Sequence, residues 1–439
     1  MKINTLSLLA AALALVTRAV SSEFTAHEWG TFTSVQGADG VPVQWQPTLA
    51  TDLPRFVYSR AVANGGFRTP PLSDPFRKAG TLSLMRMETP VIYFYSEQAR
   101  TVDVQVRFPQ GRMTEWYPQA THVGPFTSTN RAEFLRASQS VIEWKGVKIL
   151  PPGSPQVTAS TLIRDAVDRE NHYYAARETD ANLLAMSSPH ARTAVEYERD
   201  LFYRGVGFLA APLRVKLDEG LHQLELTNSF PAPLTDLFVL TVREGRAAAQ
   251  FLERVEPGRT RTVAVERTPS APLDEVRAGL MRDMARALVR QGLFAREAEA
   301  MVNTWKDQWF AEEGTRVLYL LPRAWTDQTL PLVVQPAPDR VERVMVGRAE
   351  IIRPETEQAL ARHVTRYSTG SARERQQVIA EARGLALGRF VDPAMRRITA
   401  QRKDQAFVQA AWELAAQLAE PATRPANSAD TAALAPNRK

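Results

Sequence analysis

A chain of 439 residues is longer than one compact core usually needs, so about two or three packed units are expected. Its 44% hydrophobic and 23% charged residues exclude wholesale disorder. The formal charge of +6 is small for this length and the arginines are interleaved with acids, which argues against a nucleic-acid partner. The lack of cysteine excludes disulfides, Cys-ligated zinc, a thiolate nucleophile and a thiol-linked lipid anchor.

Residues 1–22 have the layout of a secretory signal: Lys2, an apolar run over 6–16, then Ala19, Ser21 and Ser22. Cleavage is expected near Ser22, which makes the mature chain an exported protein, periplasmic or extracellular. The apolar run is shorter than the ~20 residues that a membrane-crossing helix needs, and no later stretch comes close, so no transmembrane segment is expected in the mature chain.

Residues 23–267 read as a β-rich, sandwich-like domain. The run 90–95 is apolar and aromatic, and Val102, Val104, Val106 and Phe108 alternate with polar residues. Leu213, Val215 and Leu217 alternate likewise, turn at Asp218-Glu219-Gly220 and return through Leu224 and Leu226, a hairpin pattern. Phe238, Leu240 and Val242 repeat the period. A breaker-rich stretch over 267–272 marks a boundary.

Residues 273–352 read as a helical hairpin followed by returning strands. Val276, Leu280, Met284 and Leu288 fall four apart, Asp274 and Glu275 suit the first turn, and Gly292 follows the last. Ala298, Met301, Trp305 and Trp309 continue the stripe, with both tryptophans expected in the core. Strands are expected at 316–321, 330–335 and 341–352. Residues 353–419 are expected to be helical, with Asp392 as a cap, Pro393 in the first helical position and a buried stripe of Val408, Ala411, Trp412, Ala415 and Leu418. Residues 420–439 read as a disordered tail. The fold class is therefore α+β: an antiparallel β-sandwich-like N-terminal part with a helical hairpin and a helical C-terminal part.

Motifs that declare a mechanism are missing: no G-x-S-x-G elbow, no phosphate loop, no H-E-x-x-H helix and no EF-hand loop. What remains are polar residues set in aromatic segments. His27-Glu28-Trp29-Gly30-Thr31-Phe32-Thr33, Glu88-Thr89-Pro90, the stretch 172–180 and Leu201-Phe202-Tyr203-Arg204-Gly205 resemble an uncharacterised family of exported bacterial proteins. The resemblance runs on through Trp325-Thr326-Asp327 and Val346-Gly347-Arg348 and so covers most of the chain. It implies export and brings no activity and no catalytic residue with it.

Two constellations carry chemistry. His27 and Glu28, joined by His172, are a candidate divalent-metal set, although neighbours on a strand point to opposite faces. Glu88, His172, Arg177, Glu178 and Arg204 are the catalytic candidates. On a strand His172, Tyr174, Glu178 and Asp180 would share a face, with Glu88 and Glu178 as the paired carboxylates of a glycoside-cleaving site and Arg177 or Arg204 clamping an anion. The same residues also read as a buried Arg/Glu network that holds sheets in register. Trp45, Trp116-Tyr117 and Trp144 read either as core residues or as a stacking platform for carbohydrate binding.

Two functions follow from this reading. One is an exported binding or envelope-associated protein, whose partner is an extracellular glycan or an envelope protein. The other is a secreted hydrolase or lyase acting on an extracellular glycan, metal-assisted in one form. Whether the protein is an enzyme stays open at this level.

Overall fold

A computed structural model describes residues 23–46, 52–59, 82–124, 139–155, 161–220, 222–266, 268–400 and 402–419. The expected signal at 1–22 and the expected tail at 420–439 lie outside the described residues.

Seven strands carry the architecture: β1 (Thr25–Gly37), β2 (Met85–Tyr95), β3 (Gly111–Tyr117), β4 (Leu201–Gly207), β5 (Leu234–Arg243), β6 (Gly314–Leu321) and β7 (Arg340–Ile352). They lie in one ten-stranded sheet whose order is Ala271–Pro272, Arg246–Val255, β5, β6, β7, β1, β2, β4, β3 and Tyr58–Ser59. The fold is thus mixed α+β, and this sheet draws on strands from both sides of the breaker-rich stretch at 267–272. A three-stranded sheet contains the expected hairpin of Leu213–Leu217 and Gln223–Asn228, closed by Thr260–Ala264. A further sheet runs Leu332–Gln335, Arg100–Phe108, Ser140–Leu150, Leu183–Met186, Glu196–Glu198, with His122–Gly124 beside Ser140–Leu150.

Every residue of β1 is buried. Its neighbours explain why: β7 pairs along its whole length and β2 pairs on the other side. The β1/β7 pairing is parallel, in a molecule whose alternating strands predict antiparallel neighbours. Parallel strands need a long connection, and several hundred residues separate these two.

The β1/β2 register is broken once. Trp29 faces Val91 and Thr31 faces Glu88, so Gly30 stands against both Thr89 and Pro90. This is a β-bulge, and Thr89 is held there at φ +50°. A Cβ on Gly30 would come within 2.9 Å of the Pro90 Cα, so only glycine fits opposite the bulge.

The helical hairpin forms as expected, from α1 (Leu273–Arg290) and α2 (Ala295–Phe310), with Trp305 and Trp309 in the core. After β7 come helices Pro354–Thr369, Ala372–Arg383, Val391–Thr399 and Gln405–Ala419. They enclose a second apolar core that includes Val35, Val43, Trp45 and Ile352. Among the described residues no helix is long and apolar enough to cross a membrane.

Three local expectations are corrected. Asp392 is not a cap: the 3-10 turn Gly388–Phe390 runs straight into the helix, which begins at Val391. The Asp392 carboxylate instead accepts from the Gln46 N–H at 2.8 Å and pairs with Arg396. Trp45, Trp116 and Trp144 form no platform, because all three are 2% exposed or less. The segment His172–Arg177 is a 3-10 helix rather than a strand, started by Asn171, whose side chain accepts from the Tyr173 N–H.

Candidate functional site: an aromatic pocket beside a buried charge network

The metal candidates are divided among separate surroundings. His27 donates through Nδ1 to Glu297 at 2.7 Å, and the same carboxylate accepts from the Tyr95 hydroxyl at 2.7 Å. Glu28, on the opposite face of β1, accepts from the Tyr203 hydroxyl and from Arg343 Nε at 2.5 Å. His172 donates from Nδ1 to the Thr304 carbonyl at 2.8 Å. Among the described residues no group of three or more His, Asp or Glu is arranged to hold a metal ion.

Three of the catalytic candidates border one network. Asp52 stands 3.3 Å from His172 Nε2 and 3.2 Å from Arg204, and Arg86 lies 3.9 Å away. Arg204 also donates to the Tyr173 hydroxyl. Burial alone would raise the Asp52 carboxyl, but Arg204, His172 and Arg86 outweigh it and hold the group well below the usual carboxylate range. Glu88 accepts from Arg389 through both oxygens, at 2.7 and 2.8 Å. Burial again opposes ionisation, and the guanidiniums of Arg389, Arg86 and Arg204 overcome it, bringing Glu88 down to about 2.

The network continues under α2. Glu350 accepts from Arg316 at 3.0 Å and from Arg348 at 2.6 Å, and Arg348 reaches Glu312 at 2.7 Å. Each of these charges is matched by another, which is the requirement for burying them at all. Glu88, His172 and Arg204 are thus parts of one network of hydrogen bonds and ion pairs. Glu178 is not among them: it is exposed at the end of the 3-10 helix.

Arg177 faces the other way, into a cavity of about 40 Å³ whose walls include Thr89, Val91, Tyr117, Tyr173, Tyr174, Phe202, Glu198 and Asp200. Thr89 and Tyr173 make the wall shared with the network. The bulge in β2 is what turns Thr89 toward the pocket, and its hydroxyl has no hydrogen-bond partner among the described residues. Leu53, Phe56 and Val57, all partly exposed, form the mouth.

Two carboxylates in this cavity have contrasting surroundings. Glu198 is clamped by Arg177, with Nε at 3.0 and 3.1 Å from its two oxygens. Arg177 is further fixed by the Ile163 carbonyl at 2.8 Å and lies 4.8 Å from the centre of the Tyr174 ring. Asp200 is only 5% exposed and its carboxyl has no hydrogen bond among the described residues. Burial pushes that carboxyl well above the usual carboxylate range; the charge of Glu198 adds to the rise and Arg177 opposes it. Burial, then the charges of Glu198 and Glu196, likewise raise the Tyr117 phenol.

Sequence reasoning reached Arg177 but not Glu198 or Asp200. The signal was present: Glu196, Glu198 and Asp200 fall at period two immediately before the Leu201-Phe202-Tyr203 run, which places acids on one face of a chain entering a buried strand.

No protein-family model matches the chain, and no curated protein matches it. Among solved structures it is similar to the mu-homology domain of Fcho1 from Danio rerio with a bound Eps15 peptide, at 8% identity and a TM-score of 0.28, covering 76% of this chain and 97% of that one. It is also similar to the yeast delta-COP-I mu-homology domain, alone at 6% identity and a TM-score of 0.27. The complex of that domain with a Dsl1 WxWxV peptide gives 6% and 0.26, and both yeast comparisons cover 75% of this chain and 98% of the other. TM-scores this low fall short of a shared fold.

Proposed function

We propose that the chain is an exported binding protein, acting in the periplasm or outside the cell, that holds part of its ligand in the aromatic pocket beside β2 and β4. In this reading the sheets are a sandwich-like scaffold and the ion-pair lattice is the rigid wall behind the pocket. The observation that carries it is the Asp200 carboxyl, 5% exposed on the cavity wall and in no hydrogen bond or ion pair among the described residues. A buried polar group left unpaired costs stability, and a ligand that satisfies it recovers that cost. Glu88, at about 2, carries no proton near neutral pH and is tied to Arg389, so it is not the general acid of a glycan-cleaving site.

A second reading has its own support. Glu198 held by Arg177 and Asp200 in apolar surroundings are two acids with contrasting environments, the arrangement that splits general-acid and ionised roles in glycoside cleavage. It makes the protein a secreted hydrolase or lyase acting on a glycan, with Asp200 as the acid.

One variant separates the two. Thermal shift with glycan and small-molecule fragments is to be read on the full chain and on Asp200→Asn. A ligand shift lost in the variant, with no turnover in either protein, supports binding; glycan turnover by the wild type that Asp200→Asn abolishes establishes the second reading. Export is checked by fractionating cells that express the chain with and without residues 1–22; equal retention inside the cell would overturn it.

A further inference from the structure

We infer that the pocket receives a small organic cation, the ammonium or guanidinium end of a ligand, with Asp200 as its counter-ion. This rests on the binding reading above and names the chemistry of the ligand.

The cavity wall carries Arg177, Glu198 and Asp200. Arg177 is committed to Glu198 and to the Ile163 carbonyl, so it offers no free face to an anion. Glu198 is satisfied in turn. Asp200 is the acid of the wall with no ion pair among the described residues, and an anionic ligand would bring its charge against two carboxyl groups. A neutral apolar ligand would fill the space but leave Asp200 as it is.

The remaining wall favours the same answer. Phe56, Tyr117, Tyr174 and Phe202 present ring faces and edges to the cavity, and aromatic faces attract cations most strongly where water is excluded. Two of these rings already do so, since the Arg177 guanidinium lies 4.8 Å from the Tyr174 centre and 5.7 Å from that of Phe56. The space of about 40 Å³ holds roughly three water molecules, which suits a methylammonium or guanidinium head and leaves the rest of the ligand outside the mouth.

Burial favours the protonated form of Asp200 in the free pocket; entry of a cation favours the carboxylate paired with it, so binding releases up to one proton to solvent. Binding therefore tightens as pH rises toward the value at which free Asp200 ionises. The groups that face Asp200 are Glu198 and Arg177 by charge and Tyr93, Tyr117, Tyr173 and Tyr174 from the surrounding walls. Burial raises the phenols of Tyr93, Tyr117 and Tyr173 above their ordinary range, so a proton released on binding does not come from them.

The test is calorimetric titration of the full chain with methylammonium chloride, guanidinium chloride and neutral acetamide, in two buffers of different ionisation enthalpy. Saturable binding of either cation, with up to one proton released per ligand and weaker binding at lower pH, is expected. Asp200→Asn is expected to weaken it by on the order of tenfold without loss of cooperative unfolding. Phe202→Leu should weaken it severalfold. If acetamide binds as tightly as the cations and no proton is released, the cation inference fails while the binding reading stands. If none of the three binds and Asp200→Asn changes no other ligand's shift, both fail together.

Discussion

Glu88 and Asp200 are both buried carboxyls, and they respond to acid in opposite senses. Glu88 has a folded value of about 2, below an unfolded value of about 4.3, so its ionisation stabilises the fold above the unfolded value. That contribution, about 3 kcal/mol at neutral pH, is lost as pH falls from about 5 to about 2. Glu88→Gln removes the closer of the two carboxylates on the buried Arg389 guanidinium and leaves it Glu312 at 3.7 Å, at a cost of up to about 3–5 kcal/mol. Urea denaturation of both proteins between pH 7 and pH 3 should show a lower plateau and a flatter acid limb for the variant; an equal acid slope would contradict the pairing.

Asp200 runs the other way. Its folded value is raised, so the unfolded chain releases the proton first and stability falls as pH rises above about 4. Asp200→Asn is therefore expected to melt higher than wild type at pH 7 and to lose that advantage near pH 4. A variant that melts lower at pH 7 would mean that Asp200 is structural.

Among the elements, the bulged strands around the pocket are the most sensitive to small changes. A Cβ at Gly205 would meet the Arg112 carbonyl at 2.4 Å, and the obstacle is backbone that cannot swing aside. Gly205→Ala is expected to part β4 from β3 and cost about 1–3 kcal/mol, read as a lower urea midpoint. A change within error would show that the two strands can separate freely.

The elements also explain what the sequence reveals and what it hides. The alternation at 102–108 and the hairpin at 213–226 are legible because one face of each strand is wet, as the buried-exposed pattern of Leu213–Leu217 records. β1 hides its nature: with both faces covered, its threonines, His27, Glu28 and Gln36 interrupt any period, and the last three are each matched by a partner from a distant segment. The 172–180 stretch misleads for a local reason, since Asn171 caps a tight turn that no apolar period announces. The pocket was half legible. Arg177 stood out by composition, whereas Asp200 matters only because Phe56 and Tyr117, from two other segments, fold around it beside Phe202.

For the molecule as a whole, the two apolar cores are tied together. Val35 and Ile352 extend β1 and β7 into the helical core, Trp45 packs on Phe390 with ring centres 5.9 Å apart, and Arg389 reaches back to Glu88 in the sheet. The residues after Arg353 are thus part of the support of the pocket's rear wall. A chain ending at Arg353 strips cover from Val35, Val43 and Trp45 and takes the Arg389 guanidinium away from Glu88. It is expected to bind the dye ANS and to melt without a sharp transition; cooperative unfolding with no dye binding would make the helical core an independent unit.

The parallel seam between β1 and β7 also sets a timetable. Gly37 and Arg340 are about 300 residues apart, and at ~5–20 residues per second a ribosome needs roughly 15–60 s to make that interval. One hydrogen-bonding edge of the innermost strand is complete long before its mate exists. Until residues 340–352 arrive, that edge must be shielded by something other than its final neighbour, which makes the nascent chain most prone to wrong pairing at the strand that is best protected in the finished molecule.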